Sequence, residues 1–198
     1  MPFSSNARTL DIIAEEAARL AARLGQRSHR YHLWQDDDLG GDISCRCVAC
    51  KALTPSKQNL ILAQAILRGL RAYDSEAEIS LLVYGETDPD IEPQDGIFVE
   101  FAPFRRDHGR PMLCGEKNRA YRLRLEGLLK KFPADKIEVL EYFLSYDYAG
   151  FCRDGRAEQD MEYYRSLGIQ RLSSFAVFPQ EKYVQTHGFD GIYKFFAI

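Results

Sequence analysis

Residues 79–84 read Ile-Ser-Leu-Leu-Val-Tyr, a near-continuous apolar run bounded by charge before it and Gly85 after it. A run of this length, without polar alternation, suits a strand covered on both faces, as strands of parallel sheets are. The residues outside it follow the same logic. Before it, from about Ser56 to Tyr73, Leu60, Ile61, Leu67 and Leu70 recur at helical spacing. After it, Ile97–Phe101 reads as a second short strand that ends at Pro103.

Working further outward, Leu10, Ile13, Ala14, Ala17, Leu20, Ala21 and Leu24 form one stripe of a helix. Ser5 or Asn6 can cap its start, and Gly25 suits its end. His29–Trp34 reads as a strand that runs into Gln35-Asp36-Asp37-Asp38, followed by a loop to Pro55. Tyr121, Leu125, Leu128, Leu129 and Phe132 mark a helix stopped by Pro133. Lys136–Phe143 then predicts a strand, the region of Glu158–Leu167 a helix, and Arg171–Phe178 a strand. The segment from about Phe189 predicts a last helix. Strands alternating with helices place the chain in the α/β class with a mostly parallel sheet, within a single domain over 1–198.

Composition narrows the function classes. Across 198 residues, 45% are hydrophobic and 28% charged, with a net charge of -3, so a folded core is expected and no basic footprint for nucleic acid exists. No apolar run approaches the ~20 residues of a membrane span, and the first thirty residues lack the apolar core of a signal peptide. A cytoplasmic location is the expectation for the chain as given. Five cysteines exclude complete intramolecular disulfide pairing and favour a reducing compartment.

Parallel-sheet enzymes place their chemistry beyond the carboxyl ends of strands, so the loops there hold the candidate residues. Asp36 and Asp37 end one strand, and Glu141 is an acid inside an otherwise apolar strand near its end. Paired carboxylates at such positions carry glycoside cleavage, which needs an acid and a base or nucleophile flanking one bond. An ion pair with an arginine is the structural alternative for Glu141. Glu86, Arg105, His108, Trp34 and Tyr142 are candidates for binding substrate, as hydrogen-bonding groups or aromatic faces. Cys45-x-Cys47-x-x-Cys50 offers three soft ligands for Zn, with Cys114, His108 or Asp42 able to supply a fourth. Three plain thiols are the alternative.

The string Trp34-Gln35-Asp36-Asp37 with the cysteine motif after it resembles a bacterial domain family of unknown function, related to barrel glycoside hydrolases such as α-glucuronidases and β-N-acetylhexosaminidases. Other motifs agree in order: Tyr84 ending its strand; Arg105, His108, Cys114 and Asn118; Leu140-Glu141-Tyr142-Phe143; Gly168 before Ser173-Ser174-Phe175; and Tyr183-Val184 with His187-Gly188. The resemblance implies a partial (β/α)8 TIM-type barrel, roughly its last five strands with their helices. It also implies carbohydrate as the ligand. In the related hexosaminidases an Asp-Glu pair closes the matching strand, where this chain has Asp36-Asp37. Asp37 and Glu141 are therefore the expected catalytic carboxylates, with Asp36 or Glu86 as substitutes. A non-catalytic carbohydrate-binding or structural barrel fragment, held by Zn, is the second reading. A third is an independent open sheet binding a small ligand, although no glycine-rich phosphate loop supports a nucleotide. A chain complete as given would leave sheet edges bare, so a homo-oligomer is expected.

Overall fold

The computed structural model describes residues 5–25, 28–34, 44–84, 91–144, 155–176 and 181–190. Their elements run α1 (Ala7–Leu24), β1 (Arg30–Tyr31), α2 (Pro55–Tyr73), β2 (Glu78–Tyr84), β3 (Ile97–Ala102), α3 (Glu116–Leu129), β4 (Ile137–Glu141), α4 (Arg156–Ser166), β5 (Arg171–Ser174) and α5 (Glu181–His187). The strands form an all-parallel five-stranded sheet in the order β1-β2-β3-β4-β5. Pairing sets Arg30 against Glu78 at one edge and Glu141 against Ser174 at the other. The expected α/β class and element order are found. Three strands are shorter than the sequence predicts, α5 is a helix that the sequence reading does not include, and most of the helix expected from about Phe189 lies outside the described residues.

The chain divides into two compact units: residues 1–83 with 87–99, and residues 84–86 with 100–198. In the first, Asn6 accepts the Thr9 amide at 3.0 Å to start α1, and Gly25 ends it with a φ of 57° that a side chain would strain. Thr54 caps α2, whose first helical residue is Pro55. Helices α1 and α2 pack against each other at Gly69. A Cβ built there would lie 2.0 Å from the Ala14 carbonyl oxygen, so only glycine allows this approach. Ala14, Ala21, Ala63, Leu67, Leu70, Ile79, Leu81 and Val83 are buried in this unit.

In the second unit, Leu125, Leu128, Phe132, Ile137, Val139 and Ile169 are buried. Phe143, Leu144, Ala157 and Met161 form one apolar cluster with Leu172 against it. Strand β3 is buried along all six residues and β4 along all five, as strands covered on both faces should be. Among the described residues no helix is long and apolar enough to cross a membrane.

Gly69→Ala is expected to destabilise the protein by about 1–3 kcal/mol, because the clash is with backbone and not with a side chain that can turn away. Thermal denaturation monitored by circular dichroism checks this. Gly127→Ala, where the added Cβ meets nothing within 4 Å, is the matched control and should be neutral or stabilising.

Candidate functional site

Two clusters of polar side chains stand out, one in each unit. The first is the cysteine loop. Cys45, Cys47 and Cys50 bring their sulfur atoms within 4.8 Å of one another, close enough to share a metal ion. Cys50 is fully buried, while Cys45 and Cys47 are half-buried. What holds the loop is Gln58 in the first turns of α2, 2% exposed. Its Oε1 accepts the Cys45 amide at 2.8 Å, and its Nε2 donates to the carbonyls of Cys45, Cys50 and Leu53 at 3.1, 3.2 and 3.4 Å. One buried side-chain amide thus satisfies four main-chain groups that no helix or strand would.

Backbone amides are also aimed at the sulfurs: the Cys47 N–H at Cys45 Sγ and the Cys50 N–H at Cys47 Sγ. Ser5 Oγ lies 3.4 Å from Cys47 Sγ. The Ser5 hydroxyl and then the Cys50 amide lower the Cys47 thiol to about 6. At Cys45 the amide of Cys47 pulls downward, but burial and the two neighbouring thiols prevail, and its thiol is raised. Such donors favour thiolates, the form that metals bind. Cys114, expected as a possible fourth ligand, is exposed just before α3, and both it and His108 belong to the second unit.

The second cluster gathers around Arg106. Its guanidinium is wholly buried, with Nε 3.0 Å from Glu141 Oε1 and Nη2 2.7 Å from Asp160 Oδ2. Nη1 donates to the carbonyls of Arg110 and Asp107 at 3.1 and 3.5 Å. Glu141 accepts further bonds from the Tyr164 hydroxyl and the Tyr142 amide, and Asp160 accepts the Met112 amide. Asn118, fully buried in α3, fixes the same loop by accepting from the Asp107 amide at 2.7 Å and donating to the carbonyls of Asp107, Arg110 and Pro111.

One cation facing two carboxylates leaves the cluster short of positive charge. Burial, reinforced by the Glu141 charge and opposed by Arg106, raises Asp160 to about 6. Burial also works against the Arg106 cation, yet Glu141, Tyr164 and Asp160 together hold its pKa above the ordinary value. His108, whose Nε2 donates to the Phe104 carbonyl at 2.8 Å, is lowered by burial and by Arg106 and stays neutral near pH 7.

Beside this cluster in sequence terms lie aromatic rings, one for each strand end from β2 to β5. Tyr84 is the last residue of β2, and Phe104, Tyr142 and Phe175 follow β3, β4 and β5 by one or two residues. Tyr84 stacks on Phe104 at 5.2 Å, Phe104 meets Tyr142 at 5.1 Å, and Tyr142 meets Phe175 at 5.8 Å. His108 sets its edge to Tyr142 at 5.8 Å. Tyr142 is buried, and the other three rings of the row are half-buried.

The expected site residues therefore have different fates. Glu141, Tyr142 and His108 lie together in the second unit. Glu141 is 0% exposed and its carboxylate is engaged by the arginine of the structural alternative. Arg105 is exposed, and its buried neighbour Arg106 is the cation that matters. Trp34 is half-exposed at 48%. Asp36, Asp37, Asp42 and Glu86 lie outside the described residues, and so does the expected pairing of Asp36 or Asp37 with Glu141. The sequence places Arg106 beside Arg105 in one basic loop without separating their roles, and it gives no sign of Asp160, Tyr164 or Gln58 as site residues. Comparison with protein-family models, curated proteins and solved structures finds no match.

Asp160 generates a pH dependence with a definite sign. Its folded form holds a proton more tightly than the unfolded chain, so its stabilising contribution is full below the unfolded value of 3.8 and is lost as pH rises through about 6. Asp160→Asn, which cannot titrate, should remove a loss on the order of 2–3 kcal/mol across that window. Urea denaturation of both proteins from pH 4 to 7 checks this: wild-type stability should fall relative to the variant, and a constant difference would contradict it.

Proposed function

We propose that the chain binds carbohydrate, as a segment of a (β/α)8 barrel of glycoside-hydrolase type. The observation that carries this reading is the aromatic row, with one ring at each successive strand end and neighbours 5.1–5.8 Å apart. Barrel enzymes assemble their sites at that end of the strands. The apolar C–H face of a sugar ring packs on an aromatic face, and the half-buried rings of Tyr84, Phe104 and Phe175 offer such faces with Tyr142 behind them. The resemblance of the Trp34-Gln35-Asp36-Asp37 and Leu140-Glu141-Tyr142-Phe143 motifs to the hydrolase-related family supports the same ligand class.

In this reading Glu141 is a positioning residue. Its carboxylate ties the end of β4 to Arg106 and Tyr164 and thereby fixes the Tyr142 ring. A hydrolytic form of the function rests instead on Asp37, with Asp36 or Glu86 as the second carboxylate that glycoside cleavage requires. Zinc is the ion this reading assigns to Cys45, Cys47 and Cys50, since a filled-shell divalent ion with no redox chemistry of its own suits thiolate ligands.

Calorimetric titration of the full chain with oligosaccharides containing uronic acids or N-acetylhexosamines tests the proposal. Binding is expected, and Tyr84→Ala and Phe175→Ala should each weaken it by about tenfold, roughly 1.4 kcal/mol. Asp37→Asn should leave binding intact and abolish any release of phenol from aryl glycosides. Sugar binding that is absent, or that is indifferent to both aromatic substitutions, would overturn the reading.

A further inference from the structure

The cysteine loop carries more than a place for an ion. In most small thiolate sites the metal makes the fold, and removing it unfolds the peptide. Here the loop has a second, independent support. Gln58 makes four hydrogen bonds to its main chain, and the Cys47 carbonyl accepts the amides of Cys50 and Lys51 at 3.0 and 2.9 Å. The loop is therefore held without a metal, and an ion can leave it without unfolding it.

The same turn brings two sulfurs into position to bond. A chain reversal closed by the Cys50 amide on the Cys47 carbonyl keeps their Cα atoms within about 7 Å, the range that disulfides span. Cys45 and Cys47, separated by one residue, leave too little chain for relaxed geometry. Access is unequal as well: Cys47 is half-exposed and Cys50 is fully buried beside it. An attacking thiol outside and a resolving thiol inside is the arrangement that two-step thiol oxidation needs.

We propose that Cys45, Cys47 and Cys50 form a redox-governed zinc site, discharged when a peroxide joins Cys47 to Cys50. The inference rests on the zinc reading given above. In the first step the Cys47 sulfur attacks one peroxide oxygen, the O–O bond breaks, and Cys47 becomes a sulfenic acid while the departing hydroxide takes a proton from solvent. The Cys50 thiolate then attacks Cys47 Sγ; the S–S bond forms, the S–O bond breaks, and the second hydroxide leaves as water with another solvent proton. Two thiolates have lost two electrons, peroxide has gained them, and zinc keeps one of its three sulfur ligands. A thiol reductant reverses the disulfide and restores the site.

Zinc chloride is added to the reduced full-length chain, excess is removed, and bound zinc is counted; about one ion per chain is expected. Hydrogen peroxide should then release it to a colorimetric chelator, peptide mass mapping should find the Cys47–Cys50 disulfide, and dithiothreitol with zinc should restore the starting state. Far-ultraviolet circular dichroism should not change at any stage. Cys47→Ser should weaken zinc binding by about tenfold or more and form no disulfide. Cys50→Ser should stop at a Cys47 sulfenic acid that dimedone traps, and Cys114→Ser should behave as wild type. Absence of zinc at the outset overturns the zinc reading itself. Zinc that binds but survives peroxide, a disulfide between other cysteines, or loss of secondary structure on release overturns the switch while leaving zinc binding in place.

Discussion

A guanidinium cannot be taken out of water without partners, and the second unit is arranged around that constraint. Arg106 is among the largest fully buried side chains of the protein, and every nitrogen of its fork is spoken for. To meet it, β4 brings Glu141, α4 brings Asp160, and the loop after β3 folds back so that its carbonyls point inward. The consequence for function is direct. The acid best placed by sequence for chemistry is engaged in holding the strand end, and beside it is a row of rings of which Tyr142 donates its amide to that same carboxylate.

Two other buried polar side chains solve a related problem. Loops that bear function cannot satisfy their own backbone groups, and a buried loop needs partners from elsewhere. Gln58 and Asn118 each sit in the first turns of a helix and reach back over the loop that precedes it. Each binds one amide and several carbonyls. An amide side chain suits this task because it both donates and accepts, which a carboxylate at the same place could not. The cysteine loop and the Arg106 loop thus owe their shapes to the helices that follow them.

Much of this was legible in the residues. The apolar run at 79–84, the helix stripes and the stops at Gly25 and Pro133 establish the element order, because burial on both faces and chain termination leave local signatures. The cysteine spacing announced its own cluster. Glu141 was legible as a carboxylate needing a purpose, with an arginine as one answer. Which arginine was not legible: Arg105 and Arg106 are adjacent, and only the path of the turn decides which side chain enters the core. Asp160 and Gln58 read as ordinary polar positions of helices, because nothing in a 3.6-residue period says that a loop will fold over that face. Strand lengths were not legible either: β1 pairs over Arg30 and Tyr31 alone, although its neighbour β2 runs on to Tyr84.

The central claim is that Glu141 serves Arg106, and a double-mutant cycle between them tests it most directly. Arg106→Met and Glu141→Gln should each destabilise the chain by roughly 3–5 kcal/mol, because each strands a buried polar partner. The double variant should be less unstable than the sum by more than ~1 kcal/mol. Additive effects, or a Glu141→Gln protein as stable as wild type, would contradict the account and return Glu141 to the groups free to act on a substrate.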